Sequence, residues 1–229
     1  MFSETILAIT SLYLAFLIQY IAVTLRTYSV PETHIPLSLR EFIQNTCDKS
    51  NLQYRFWKDT DRNIMVMATF YMPPLTPIIV FDKKVFLENI EVAKVFLAHE
   101  LGHVRRKSQL KLFITASLLL VVIFNMSYIS ELASLLMFLA MIVIILTLYR
   151  YEEFKADEYA ASKLGLERVL NVYMNLASKQ TSFKIRLYKN PVLVAVAVLK
   201  KLKIYPSIED RVKNLMEKSS LISIKGELL

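Results

Sequence analysis

Apolar residues follow one another without a charge from Thr5 to Leu25, and again, with Glu131 as the one exception, from Leu112 to Tyr149. The first run is long enough, as a helix, to cross a hydrocarbon core of about 30 Å. It lacks the basic leader and small-residue exit of a cleaved signal peptide, so residues 1–25 read as an uncleaved transmembrane anchor. The second run would extend roughly 57 Å as one straight helix, nearly twice that core. It must fold back, and the polar cluster Asn125, Ser127, Ser130 and Glu131 marks the turn. Residues 112–149 are therefore predicted to form an antiparallel hairpin of two spans. A pair of buried core helices is the alternative, disfavoured because so few polar positions interrupt the run.

The intervening residues 26–111 alternate differently. Ser38-Leu-Arg-Glu41 has capping-box form and predicts a short helix toward Cys47. Leu52 to Trp57 and Ile64 to Tyr71 are aromatic and β-branched runs around the polar Lys58–Asn63, a hairpin pattern, and Ile78 to Phe81 is a third short strand after a Pro-rich break. A helix is expected from about Asn89. In residues 150–229 the periodicity is helical. Gly165 reads as a C-cap, Asn190-Pro191 opens a helix whose Val192–Leu199 run is too short to span a bilayer, and Ser207-Ile-Glu-Asp210 starts a last amphipathic helix with a loose tail after Lys218.

Composition sharpens this picture. The chain has 229 residues, 55% of them hydrophobic, and 28 Lys plus Arg against 20 Asp plus Glu, a net charge of +8. Those basic residues are not scattered. Arg26 follows the first span, Arg105, Arg106, Lys107 and Lys111 precede the second, and Arg150 and Lys155 follow the third, whereas the N-terminus and the hairpin turn carry no Lys or Arg. The positive-inside rule makes the basic side cytoplasmic, with three spans in a multi-pass cell-membrane protein. The charge is thereby explained as an orientation signal beside a lipid bilayer, without a nucleic-acid partner. One cysteine rules out an intrachain disulfide and a multi-Cys metal site, so any metal needs imidazole or carboxylate ligands.

Two of the three histidines lie in His99-Glu100-Leu101-Gly102-His103. This HExxH pattern puts two imidazoles on one helix face within reach of a single Zn2+, with Glu100 beside them as general base. Two surface histidines on an ordinary helix are the bland alternative, so a third ligand needs its own argument. With the hairpin turn centred at Tyr128, His103 lies 25 residues before it and Glu153 lies 25 after, while His99 and Asp157 are each 29 away. Antiparallel helices of equal rise then set Glu153 level with His103 and Asp157 level with His99. Glu153 is the expected third ligand. Asp157, four residues on, is placed to hold the other nitrogen of a ligating His, and Glu152 points about 100° away from both. His34, alone, reads as a solvated surface histidine.

These motifs resemble those of the membrane zinc metallopeptidases of the HtpX and CAAX prenyl protease family. His99–His103 matches their HELGH, Glu153-Phe-Lys-Ala-Asp157 their EFxAD, and Tyr205-Pro-Ser-Ile-Glu-Asp-Arg211-Val their HPxxxxRI segment, with Tyr205 where the family usually has His. The resemblance implies a mainly helical α+β membrane zincin: one N-terminal span, a small sheet, an HExxH helix running into the two-span hairpin, and a C-terminal helical part. It implies one Zn2+ per chain, held by His99, His103 and Glu153, and an endopeptidase activity serving membrane-protein quality control. Arg211 and Tyr205 are candidate donors to the oxyanion. The substrate is expected to be a protein or peptide lying as an extended strand along the edge of the sheet, for which Ile64–Tyr71 is the candidate. A prenyl-protein protease, a BlaR/MecR-like sensor protease cleaving a repressor, and an idle scaffold are the competing readings.

Overall fold

The computed structural model describes residues 2–30, 35–46, 52–58, 67–83, 89–180 and 206–226. Among the described residues the chain forms seven helices and four strands: α1 (Phe2–Arg26), β1 (Thr27–Ser29), α2 (Leu37–Thr46), β2 (Gln53–Trp57), β3 (Met67–Phe70), β4 (Ile78–Phe81), α3 (Ile90–Arg106), α4 (Ser108–Ser127), α5 (Glu131–Leu164), α6 (Leu166–Gln180) and α7 (Ile208–Gly226). This is the expected mainly helical α+β architecture with a small mixed sheet. His34, Cys47, Asn190-Pro191, the Val192–Leu199 run and Tyr205 lie outside the described residues.

Three helices, α1, α4 and α5, are long and apolar enough to cross a membrane, which fits a membrane protein. Their large side chains stand open, Leu118 and Leu135 among them, as they must if lipid rather than protein is their neighbour. The fold-back falls where expected. α4 ends at Ser127, Tyr128–Ser130 turn the chain, and Ser130 caps α5 by accepting from the Ala133 amide. Tyr13 and Phe16 pack edge-on against Phe113, which sets α1 beside the hairpin. At the far end Tyr128 donates to the Glu4 carboxylate, so the turn and the N-terminus share a side.

The sheet has the order β1-β2-β4-β3, antiparallel at both outer pairs and parallel between β2 and β4. The expected hairpin between the second and third strands does not form. β4 lies between them, and all four of its residues are buried, the pattern of a central strand covered on both faces. Ile78 and Val80 pack with Val23 of α1, while Ile79 and Phe81 pack with Ala93, Leu97 and Leu101 of α3, the alternation a pleated strand imposes. β1, not anticipated, continues directly from α1. Arg55 on β2 seals that junction by donating to Thr27 Oγ1 at 2.7 Å and to the Thr24 carbonyl at 3.1 Å. α2 begins at Leu37, so Ser38 lies inside its first turn rather than at its cap. Ser207 and Asp210 do form a capping box, each side chain accepting from the other's amide at 3.1 Å, and α7 then continues to Gly226, through most of the stretch after Lys218 expected to be loose.

Candidate metal centre

α3 and α5 cross at Gly102. A Cβ added there would stand 3.0 Å from Ala156 Cα and 3.2 Å from Tyr159 Cβ, so only glycine admits so close an approach of the two backbones. Gly102→Ala is expected to cost about 1–3 kcal/mol and to weaken metal binding together with stability, checked by thermal unfolding and zinc titration of one preparation. The first rod is not continuous: α3 stops at Lys107, whose φ of 53° breaks it from α4. The second is. α5 runs unbroken for 34 residues, about 51 Å at the standard rise, and its last turns bury Glu152, Glu153, Ala156, Asp157 and Ala160 against its neighbours.

The crossing brings three groups to one point. His99 Nε2 and His103 Nε2 are 3.1 Å apart, and Glu153 Oε2 and Oε1 stand 3.5 Å and 3.4 Å from them respectively. Glu153 and His99 are almost wholly buried. Of the described residues only these three offer a His, Cys or carboxylate group able to hold a metal, their ligand atoms all within 4.8 Å of one another. The donor set fits: two imidazole nitrogens and one carboxylate are what a catalytic zinc takes, with a coordination position left open. Two buried imidazoles and a buried carboxylate turned inward on the same point would otherwise be a costly arrangement. Glu100 follows His99 on the helix and is likewise buried, its backbone carbonyl accepting from Thr69 Oγ1 at 3.4 Å.

Behind His99 lies a second, fully enclosed layer. Asp157, with no exposed surface, meets His99 Nδ1 at 2.8 Å, accepts from Tyr173 OH at 2.5 Å, and accepts from Arg211 Nε at 2.7 Å and from its Nη2. Arg211 also donates to Tyr173 OH at 2.7 Å and stacks 4.7 Å above its ring. Asp157 Oδ1 at 2.8 Å and Arg211 Nη2 at 2.9 Å both face His99 Nδ1; a proton there, donated to Asp157, would leave the Nε2 lone pair for a metal. Burial and the Arg211 charge press His99 toward its neutral form, but Asp157 and Glu153 more than offset them, raising its pKa to about 9 without a metal. Burial pushes the Tyr173 phenol well above its ordinary value, which keeps it a donor.

His99, Glu100, His103, Glu153, Asp157 and Arg211, each predicted from sequence, are all at this crossing. Arg211 is there in a different posture: its fork is turned onto Asp157 and Tyr173, with Nη1 4.0 Å from Glu153 Oε2. Tyr205 lies outside the described residues. Tyr173 was not anticipated, since a tyrosine on the buried face of an amphipathic helix carries no mark of its partner. Glu152, as expected, faces away from His99, His103 and Glu153, to Arg106, Ser108 and Lys111.

Residues 75–219, well over half the chain, match the model of peptidase family M48. The chain belongs to peptidase family M48. No curated protein matches it. The matched stretch begins just before β4 and ends within α7, so the whole crossing of α3, α5 and α7 is M48 sequence. As an M48 member the protein is a metallopeptidase, a hydrolase whose substrate is a peptide or protein, and the His99–His103–Glu153 group is compatible with the metal such enzymes use.

Proposed function

We propose that this protein is an integral-membrane zinc endopeptidase with one Zn2+ held by His99, His103 and Glu153, working at the cytoplasmic face. The observation that carries the reading is the convergence of two imidazole Nε2 atoms and one buried carboxylate where an HExxH helix crosses α5. Bound there, zinc supplies a Lewis acid and a water acidic enough to ionise near pH 7. Glu100 takes the proton of the attacking water and returns it to the leaving amine. Asp157 holds His99 in the tautomer that ligates, and Arg211 with Tyr173 holds Asp157. Arg211 is thus a positioning residue, and Tyr205 is left as the proposed donor to the oxyanion.

The substrate strand is placed on β3, an outer strand of the sheet whose Thr69 side chain reaches the backbone of Glu100. Gln109 pairs with the end of this strand, donating to the Thr69 carbonyl at 2.8 Å and accepting from the Tyr71 amide, a side-chain pairing that a substrate backbone would replace. The membrane reading rests on the three apolar helices, and the cytoplasmic placement on the basic residues at their site-proximal ends. Residues 1–25 and 112–149 then anchor a catalytic body made of 26–111 and 150–229. Quality control of membrane proteins is the role proposed for that body, supported by the resemblance of its motifs to those of the HtpX family.

Glu153→Ala is the decisive variant. It is expected to lose about 100-fold or more in zinc affinity, since two imidazoles alone make an incomplete catalytic site, and to lose peptide hydrolysis with it. Metal analysis and cleavage of an unstructured reporter protein in lipid nanodiscs check both. Undiminished zinc binding by this variant would remove Glu153 from the ligand set.

A further inference from the structure

The two imidazoles are steadied by different means. His99 meets a carboxylate directly. The remaining nitrogen of His103, Nδ1, instead faces Ser108 Oγ at 3.4 Å, and that hydroxyl donates onward to Glu152 Oε2 at 2.6 Å. A hydroxyl whose proton is committed to a carboxylate turns its lone pairs the other way, so Nδ1 of His103 is the donor in this chain. We propose that Ser108, anchored by Glu152, is the positioning residue of His103, fixing Nε2 as the lone-pair nitrogen aimed at the metal; this rests on the metal-site reading above.

The backbone is shaped for this contact. Ser108 follows His103 by five residues, and in an unbroken α-helix that spacing would rotate it about 140° away. Lys107 interrupts the rotation with its left-handed φ of 53°, a conformation costly for a residue with a side chain, and α4 restarts with Ser108 under the imidazole. Glu152 then draws in groups from both sides of this elbow. Arg106, the last residue of α3, donates to it through Nε and Nη2 at 3.0 Å each, and Lys111, in the first turn of α4, approaches at 3.1 Å. Ser108 and Glu152 are themselves almost wholly buried. Neighbouring carboxylates on α5 therefore divide the labour: Glu153 faces the metal, and Glu152 locks the elbow that presents a hydroxyl to the second imidazole. The two Nε2 atoms stand 3.1 Å apart, close enough for one cation to meet both. The entry of the membrane hairpin and the aim of a metal ligand are thereby set by one cluster.

The test is zinc affinity of the full chain in lipid nanodiscs, measured by competition with a chromophoric chelator, beside the thermal midpoint of the metal-free form. Ser108→Ala is expected to bind zinc about 10- to 100-fold more weakly, with the metal-free midpoint lowered only by the loss of one hydrogen bond to Glu152, which keeps Arg106 and Lys111. Ser108→Thr, which restores the hydroxyl, is expected to recover most of that loss. An Ala variant that binds zinc as tightly as the wild type overturns the proposal and leaves the metal site standing. A Thr variant as weak as Ala overturns it too, because the hydroxyl is then not the operative group. Wild-type protein that fails to take zinc overturns the metal-site reading and this inference with it.

Discussion

Glu100→Gln is expected to lower kcat/KM for peptide hydrolysis by about 10²- to 10⁴-fold, the range over which a positioned general base contributes, while zinc content stays at the wild-type level. The two effects separate because of where the residue stands. Glu100 is outside the group of His99, His103 and Glu153, so its carboxylate is not needed to hold the ion. It is buried beside them on the same helix turn, and glutamine keeps its shape but cannot take a proton at neutral pH. The tie between strand and helix is also spared, because Thr69 Oγ1 reaches the backbone carbonyl of Glu100 and not its side chain. Metal analysis and peptide cleavage on one preparation check the prediction, with Glu153→Ala as the contrast in which metal and activity disappear together. Wild-type hydrolysis by a clean, zinc-loaded Glu100→Gln protein would transfer the base to another group.

The helical half of the fold was legible because its signals are local or arithmetical. Uninterrupted apolar runs mark spans, and a fixed rise per residue turns distance from Tyr128 into level along two rods; the 2.8 Å contact of His99 with Asp157 shows that the register survives even the break at Lys107. The sheet was less legible. Its order depends on which strand is covered on both faces, and the polar Lys58–Asn63 stretch reads as a hairpin turn although β4 lies between β2 and β3. The four-residue apolar run Ile78–Phe81 held the clue, since a strand that alternates is half exposed and one that does not is central. β1 is three residues long and follows a helix without punctuation, so no pattern announces it. At the site, residues paired through helix geometry were found, while Tyr173 and Ser108 were not. Their partners lie across contacts set by an elbow and by the packing of α6, which no spacing in the sequence encodes.

Arg211→Met is expected to destabilise the fold by about 3–5 kcal/mol, the usual penalty for stranding one member of a buried ion pair. Asp157 has no exposed surface and takes bonds from both Nε and Nη2 of Arg211. Without the guanidinium it keeps only the Tyr173 phenol and His99, and Tyr173 loses its own donor. Methionine refills the volume but not the charge, so the cost is electrostatic, and the double change Arg211→Met with Asp157→Asn should be less harmful than Arg211→Met alone. Arg211→Lys should rescue poorly, because one ammonium cannot reproduce a fork that satisfies two carboxylate oxygens and a phenol at once. Denaturation in detergent micelles measures these differences, and zinc titration of the same variants follows the consequence for the site: with Asp157 released, the tautomer of His99 is no longer enforced and the metal should bind about tenfold or more weakly. If Arg211→Met instead unfolds at the wild-type midpoint while hydrolysis alone collapses, the guanidinium acts on the reacting carbonyl, and the role of holding Asp157 passes to Tyr173.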